Sequence, residues 1–346
     1  MQPGRTIAAA LAAAFLFGAS TPAAKTLAGE LSPFLLAGLL YAGSGIGLCA
    51  WMALRRAPRV PLMPAADLPW FAAAVLCGGV IGPALLMYGL SRTAASTVAL
   101  LLNLEGVFTA LLAWFVFKEN FDRRIALGMA LIVAGGILLA GEPDALGGID
   151  PGAAFVAGAC LAWAVDNNFT RRVSGSDAVT IAAIKGMVAA VVNISIAILA
   201  GARWPGSGQV LAAGLIGFLG YGVSLALFVV ALRELGAART SAYFSTAPFV
   251  GVAVAFFVLR ETPGTLFWAA AALMGAGVWL HVSERHEHEH VHEPREHAHA
   301  HVHDEHHRHA HDFDWDGTEP HSHLHRHERL VHSHPHFPDL QHTHRH

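Results

Sequence analysis

Apolar stretches of about twenty residues, separated by short polar or Pro/Gly-bearing links, recur along the first 280 positions of the chain. Ten such runs can be marked, at about 7–28, 33–54, 69–91, 95–117, 124–141, 152–170, 178–200, 210–233, 240–259 and 265–282. Each is long enough to cross, as a helix, a hydrocarbon layer of about 30 Å. A bilayer offers no water to satisfy open backbone groups, so ten runs of this kind predict a helical bundle rather than a barrel. The links include Arg55-Arg56-Ala57-Pro58-Arg59, Glu142-Pro143-Asp144 and Trp204-Pro205-Gly206. The first run begins like a secretory signal, with Arg5 before TIAAALAAAFLFGASTPAA. Its apolar character continues past Pro22 to Leu27, and it is read as a first membrane helix.

The pattern also repeats. Ser96 to Asn120, STVALLLNLEGVFTALLAWFVFKEN, is matched 142 residues later by Ala238 to Thr262, ARTSAYFSTAPFVGVAVAFFVLRET. Lys118-Glu119-Asn120 falls on Arg260-Glu261-Thr262, and Glu105-Gly106 falls on Ala247-Pro248. The first spans of the two halves align at an offset of 146, pairing Phe17 with Trp163 and Lys25 with Arg171, and the fifth spans pair Gly135 with Gly277. Each unit holds five spans, an odd number, so the second copy must enter the membrane in the opposite sense. Inverted pairs of this kind place substrate near the midplane between the halves and suit alternating access. The expected fold is therefore an all-α membrane protein of ten helices in two inverted five-helix repeats, 1–142 and 150–282, followed by a tail, 283–346.

Composition agrees with this class and adds an orientation. The chain is 54% hydrophobic and 14% charged, far too apolar for an ordinary soluble domain. Lys and Arg alternate unequally between the two sides of the predicted bundle. Eleven lie on one side (Arg5, Arg55, Arg56, Arg59, Lys118, Arg123, Arg124, Arg171, Arg172, Arg233 and Arg239) and four on the other (Lys25, Arg92, Arg203 and Arg260). The richer side is the cytoplasmic one, which puts both termini in the cytoplasm of a bacterial inner-membrane protein. Cys49, Cys77 and Cys160 each sit in an apolar run, where they pack as small residues and indicate neither disulfide nor zinc site.

Ionisable groups at membrane depth are costly and are functional candidates by default. Glu105 lies near the middle of the fourth run, with Asn103 and Thr109 at near-turn spacing. A desolvated carboxyl there could load and release a proton or meet a substrate ammonium, or it could be a neutral structural group bonded to a neighbouring helix. Asp166, followed by Asn167 and Asn168, closes the sixth run, and Lys185 enters the seventh from the same side, so the opposite charges lie at comparable depth. They could form a structural ion pair or contact the two ends of a zwitterion. Trp163, Tyr88, Tyr221 and Tyr243 could shape a cavity, although aromatics near helix ends also serve as interfacial anchors. Lys25 is expected to snorkel. Glu119 and Glu261 close corresponding helices, where capping of those helices and contact with Lys118 or Arg260 compete with a gating role.

All 23 histidines lie at or beyond His281. From position 285 the chain is dense in His-x-His spacing, with His286, His288, His290, His292, His297, His299, His301, His303, His306, His307, His309 and His311 in its first part. Such a segment cannot bury a core and is expected to be disordered without a ligand. Alternate imidazoles fall on one side of an extended chain, and neutral imidazole suits Zn²⁺, Ni²⁺, Co²⁺ and Cu²⁺. Transition metal is thus an expected ligand of the tail, while no cofactor is required by the bundle.

The two five-span halves, the phrase LLLNLEGVFTALLAWFVFKEN with its echo FSTAPFVGVAVAFFVLRET, and AFLFGASTPAAK near the start resemble the EamA-type drug/metabolite transporter superfamily over about 1–282. The resemblance implies a ten-helix secondary transporter, often an exporter of amino acids, other metabolites or toxic compounds. It also implies a cavity lined by the first four spans of each half, with the fifth and tenth more peripheral. Pro248 keeps the family's mid-helix proline in the second half, whereas the first half carries Glu105-Gly106 instead.

Three functions follow. The chain could be a proton-coupled exporter of a small, amino-acid-like metabolite or toxic compound, a transition-metal efflux protein fed or regulated by the tail, or a membrane-anchored metal buffer or sensor. An enzyme is not expected, because the spans hold no His-Glu metal-hydrolase pair, nucleophile elbow or phosphate loop. The expected partners are the lipid bilayer, a small-molecule substrate and divalent metals on the tail, with no nucleic acid; a homodimer is left open.

Overall fold

A computed structural model of the chain describes residues 3–54, 67–117, 123–141, 150–173, 178–228, 230–231 and 243–283, together with the backbone of 287–292, 295–301, 321–327 and 330–335. The helices are α1 Pro3–Lys25, α2 Pro33–Leu54, α3 Leu68–Arg92, α4 Ala95–Leu101, α5 Leu104–Phe117, α6 Arg123–Ala140, α7 Pro151–Val173, α8 Ala178–Leu199, α9 Ser207–Phe228, α10 Ala247–Leu259 and α11 Thr265–Val282. Among the described residues, seven helical stretches are long and apolar enough to cross a membrane, and α10 and α11 are shorter apolar helices. The remaining run is α7, 23 residues long with a polar last third. Among the described residues each of the ten predicted runs is mostly helical, and the fourth is divided between α4 and α5.

Packing follows the repeat. α1 lies against α10, and its counterpart α7 lies against α5; α2 packs along α8, and α6 along α11. Exchanging the halves exchanges these contacts, as two inverted copies require. Small residues make the crossings possible, because a membrane offers little hydrophobic gain for helix association and close backbone approach must supply the attraction. A Cβ on Gly277 would stand 2.5 Å from the carbonyl oxygen of Gly128, and one on Gly135 would stand 2.7 Å from Met274. The glycines paired by the repeat thus join α6 to α11. The buried core runs through Leu35, Leu36, Leu86, Leu90, Val98, Leu100 and Met274.

Two irregularities recur at matching places. Within α3, Val75–Ile81 is a π-helix, and within α9 Phe218–Val223 is another, 142 or 143 residues further on. The fourth span breaks at Leu102-Asn103, and a turn at Ser245-Thr246 precedes α10. The ninth span is thus interrupted in the same way: Tyr243-Phe244 are helical, the turn follows, and α10 restarts at Ala247 with Pro248 in its first turn.

The tail is a separate unit. Its described backbone forms β1 Glu287–His292, β2 Arg295–His301, β3 His321–His327 and β4 Leu330–Pro335. β1 pairs antiparallel with β4 and β2 with β3, so these four segments have backbone partners where no regular structure was expected.

Candidate functional site

The π-segment of α3 sets the centre of the site. A π-turn displaces carbonyls from their usual i→i+4 partners, and in a membrane an open carbonyl must be satisfied locally. Gly78 O accepts from Tyr41 Oη at 2.9 Å and from Trp163 Nε1 at 3.0 Å, and Gly79 O accepts from Asn193 Nδ2 at 2.8 Å. Side chains from α2, α7 and α8 thus converge on one stretch of α3.

Asp166 presses against the same stretch. A Cβ on Gly78 would overlap Asp166 Oδ2, so only glycine leaves room for the carboxylate. Asp166 is 4% exposed, accepts from Thr170 Oγ1 at 2.9 Å and is paired with Lys185 Nζ. In the second repeat a Cβ on Gly220 would collide with Ser20 Cβ. Ser20 is the residue that aligns with Asp166 at the 146 offset, so corresponding niches are filled by a charge in one half and a hydroxyl in the other.

The break in the fourth span positions Glu105. It lies in the first turn of α5, whose N-terminal end carries the positive pole of the helix dipole and favours a carboxylate. Asn167 Nδ2 donates to Glu105 Oε1 at 2.8 Å and approaches Thr109 Oγ1 at 3.4 Å, and Asn168 Nδ2 reaches Thr109 O at 3.5 Å. Asn167 is exposed and Glu105 is half-buried, and a Cβ on the adjoining Gly106 would meet no atom within 4 Å. Asp166 and Lys185 both act on Glu105 electrostatically. One half-buried acid bonded to an exposed amide, next to a paired acid and base, can exchange a proton or receive a cationic group.

Other candidates fall elsewhere. Asn103 is buried and donates to Leu100 O at 2.9 Å, bracing the break rather than meeting Glu105. Tyr88 stacks on Phe155 at 5.5 Å and lies beneath Arg92 at 5.4 Å, the arrangement of an interfacial anchor. Thr246 bonds to the Tyr243 carbonyl at 2.6 Å, and no described contact takes the Tyr243 ring to the cluster. Glu119 lies outside the described residues, as do His286, His303, His306, His307, His309 and His311. An apolar groove of about 320 Å³ between α2 and α8, lined by Ile46, Met187, Val191 and Ile194, includes no member of the cluster.

A second polar constellation joins the helix ends at Lys25. Lys25 Nζ donates to Leu90 O at 2.5 Å and Thr93 O at 2.8 Å, so it caps the end of α3 instead of snorkelling. Thr93 Oγ1 donates to Asp150 Oδ2 at 2.8 Å, and Asp150 Oδ1 accepts from Gly152 N at 2.8 Å at the start of α7. Glu261 does not cap its own helix: its oxygens accept from Ala95 N at 2.7 Å and Ser96 N at 2.9 Å, the first two residues of α4. Its distance in sequence from those residues hid this bond; the repeat marked only the residue.

Among the described residues no three His, Cys, Asp or Glu side chains are grouped to hold a metal. In the tail, strand register sets His288 opposite His334 and His290 opposite His332 in one ladder. It sets His297, His299 and His301 opposite His325, His323 and His321 in the other.

Comparison with known proteins adds a family. The sequence profile described as the EamA-like transporter family matches residues 4–141 and 150–283, one match for each repeat. An uncharacterized transporter from Methanothermobacter thermautotrophicus is 29% identical over 211 residues, which cover 59% of this chain and 62% of that protein. An uncharacterized transporter from Synechocystis sp. is 29% identical over 130 residues, 38% of each chain. This chain therefore spans less than two thirds of either relative. A protein of known crystal structure superposes with a TM-score of 0.59 at 19% identity, covering 80% of this chain and 96% of the other, a likeness of fold alone.

Proposed function

Since the chain belongs to the EamA-like transporter family and is a multi-pass membrane transporter, we propose that it exports a small metabolite carrying an amino group, in exchange for protons, through the Glu105–Asn167 site. The observation that carries this reading is the placement of Glu105 in the first turn of a half-helix, half-buried and bonded to the exposed Asn167. Broken helices at the interface of inverted repeats are where secondary transporters bind their substrates. Proton and substrate ammonium compete for the one carboxylate, so loading one releases the other. Asp166 and Lys185 hold the neighbouring field, and Lys185 is the contact for a second, anionic end of the substrate. The charge count orients the bundle with Arg55, Arg124 and Arg171 in the cytoplasm of a bacterial inner membrane and the Lys25 constellation outside.

A second reading concerns the tail alone. The tail's dense His-x-His spacing supplies neutral imidazoles, which suit transition-metal ions. That composition favours metal binding by the tail. A growth screen separates this property from transport. A strain overexpressing the full chain, and one expressing a chain ending at Glu284, are challenged with toxic amino-acid analogues and with Ni²⁺, Co²⁺, Zn²⁺ and Cu²⁺. Resistance to an analogue that survives truncation is the expected result. Resistance confined to metals and lost with the tail would replace the metabolite reading by metal efflux or buffering.

A further inference from the structure

The Lys25 constellation is a junction between the repeats. The turn 90–96 joins the third and fourth spans, and its polar groups are held from three other elements. Lys25, at the end of α1, takes the carbonyls of Leu90 and Thr93. Asp150, at the start of the second repeat, takes the Thr93 hydroxyl while capping its own helix. Glu261, just beyond α10, takes the N–H groups of both Ala95 and Ser96.

The bond to Glu261 meets a particular need. Ala94, the residue before α4, supplies no side-chain cap, so the first N–H groups of the fourth span would lack a partner without Glu261. Ala95 and Ser96 are 0% and 2% exposed, so water does not replace it. Arg260 ends α10 with φ 56°, the sole left-handed non-glycine among the described residues, and the turn it makes delivers Glu261 to α4. Lys25 is close enough to interact electrostatically with Glu261, which adds a charge of opposite sign to the junction.

Resting on the transporter reading, we propose that Glu261 is a positioning residue of the transport cycle. Its carboxylate clasps the start of the fourth span to the second repeat and keeps the Lys25 end of the bundle closed, and its release from Ala95 and Ser96 accompanies opening of that end. The fourth span carries Glu105 further along, so the same movement that frees its N-terminus exposes the site to that side.

The test reads accessibility, which needs no knowledge of the substrate. Ser96→Cys is introduced into full-length protein in which Cys49, Cys77 and Cys160 are replaced by alanine, and labelling by a membrane-impermeant maleimide is timed in whole cells and in inside-out vesicles. With Glu261 present, the thiol introduced at position 96 should label slowly. Glu261→Ala should raise its rate in whole cells about tenfold or more, Glu261→Gln should give an intermediate rate, and Glu261→Asp should restore part of the protection. Equal rates in the Glu261 and Glu261→Gln proteins would overturn the clasp even if Glu261→Ala failed to insert, and acceleration seen only in inside-out vesicles would overturn its placement outside. Loss of flux in Glu105 variants with protection at position 96 unchanged leaves the clasp intact, so the two proposals can fail separately.

Discussion

Glycines and charges are fitted to one another residue by residue. Gly78 and Gly106 are both helical glycines in membrane spans, yet their surroundings differ completely. Gly78→Ala would drive a methyl group into Asp166 and disturb the pair with Lys185, and a clearly lower yield of monodisperse protein is expected. Gly106→Ala has free space and gains up to about 1 kcal/mol of helix propensity, so it should raise the thermal midpoint slightly or leave it unchanged. Thermal unfolding of both variants in detergent compares them directly; equal losses would show that the Gly78 contact does not govern the fold. The Asp166–Lys185 pair invites the same treatment. Removing one partner of a buried pair strands the other charge at a cost of about 3–5 kcal/mol. Asp166→Asn or Lys185→Met alone should therefore insert poorly, while the double variant should recover. Whether the recovered protein still transports separates a structural pair from a substrate contact.

Among the elements, the helices were legible in the chain and their interruptions were not. Runs of apolar residues mark spans because the bilayer enforces them, and the 142-residue echo of Glu119 in Glu261 and of Gly135 in Gly277 exposed the repeat. The π-segments at Val75–Ile81 and Phe218–Val223 left no signal in hydropathy, since their residues are as apolar as those of a regular helix. The break at Leu102-Asn103 was equally hidden: nothing in LLLNLEG forces it, and its mate in the second half is announced only by Pro248. Asp166 with Lys185 could be paired from helix-hairpin depth alone, whereas Asn167 with Glu105 required the packing of α7 on α5. If the π-segment organises the site, Asn193→Leu, which removes the donor to Gly79 O, should cost about 1–3 kcal/mol and lower affinity for substrate together with stability. A variant that keeps its melting temperature and its substrate affinity would show that this bond is incidental.

Taken whole, the molecule combines two inverted repeats and a histidine-rich tail, separate parts with separate chemistry. A reporter active only outside the cytoplasm should be silent when fused after Glu284 and active when inserted in the 142–150 link, as the eleven-to-four charge asymmetry requires. The tail should bind several Ni²⁺ or Zn²⁺ ions that the chain ending at Glu284 does not. Titration calorimetry should show that binding weakening as pH falls through the ordinary imidazole value of about 6.5, because metal and proton compete for the same nitrogen. The coupling of protons to substrate by Glu105 is tested in proteoliposomes, with whichever analogue the growth screen identifies. Flux driven by an imposed pH gradient is compared with gradient-free exchange of labelled for unlabelled substrate, in the native chain and in Glu105→Gln. The expected result is loss of gradient-driven flux with exchange retained, since the amide can still bond the substrate but cannot carry the proton. Undiminished gradient-driven flux in Glu105→Gln would refute proton coupling at this carboxylate.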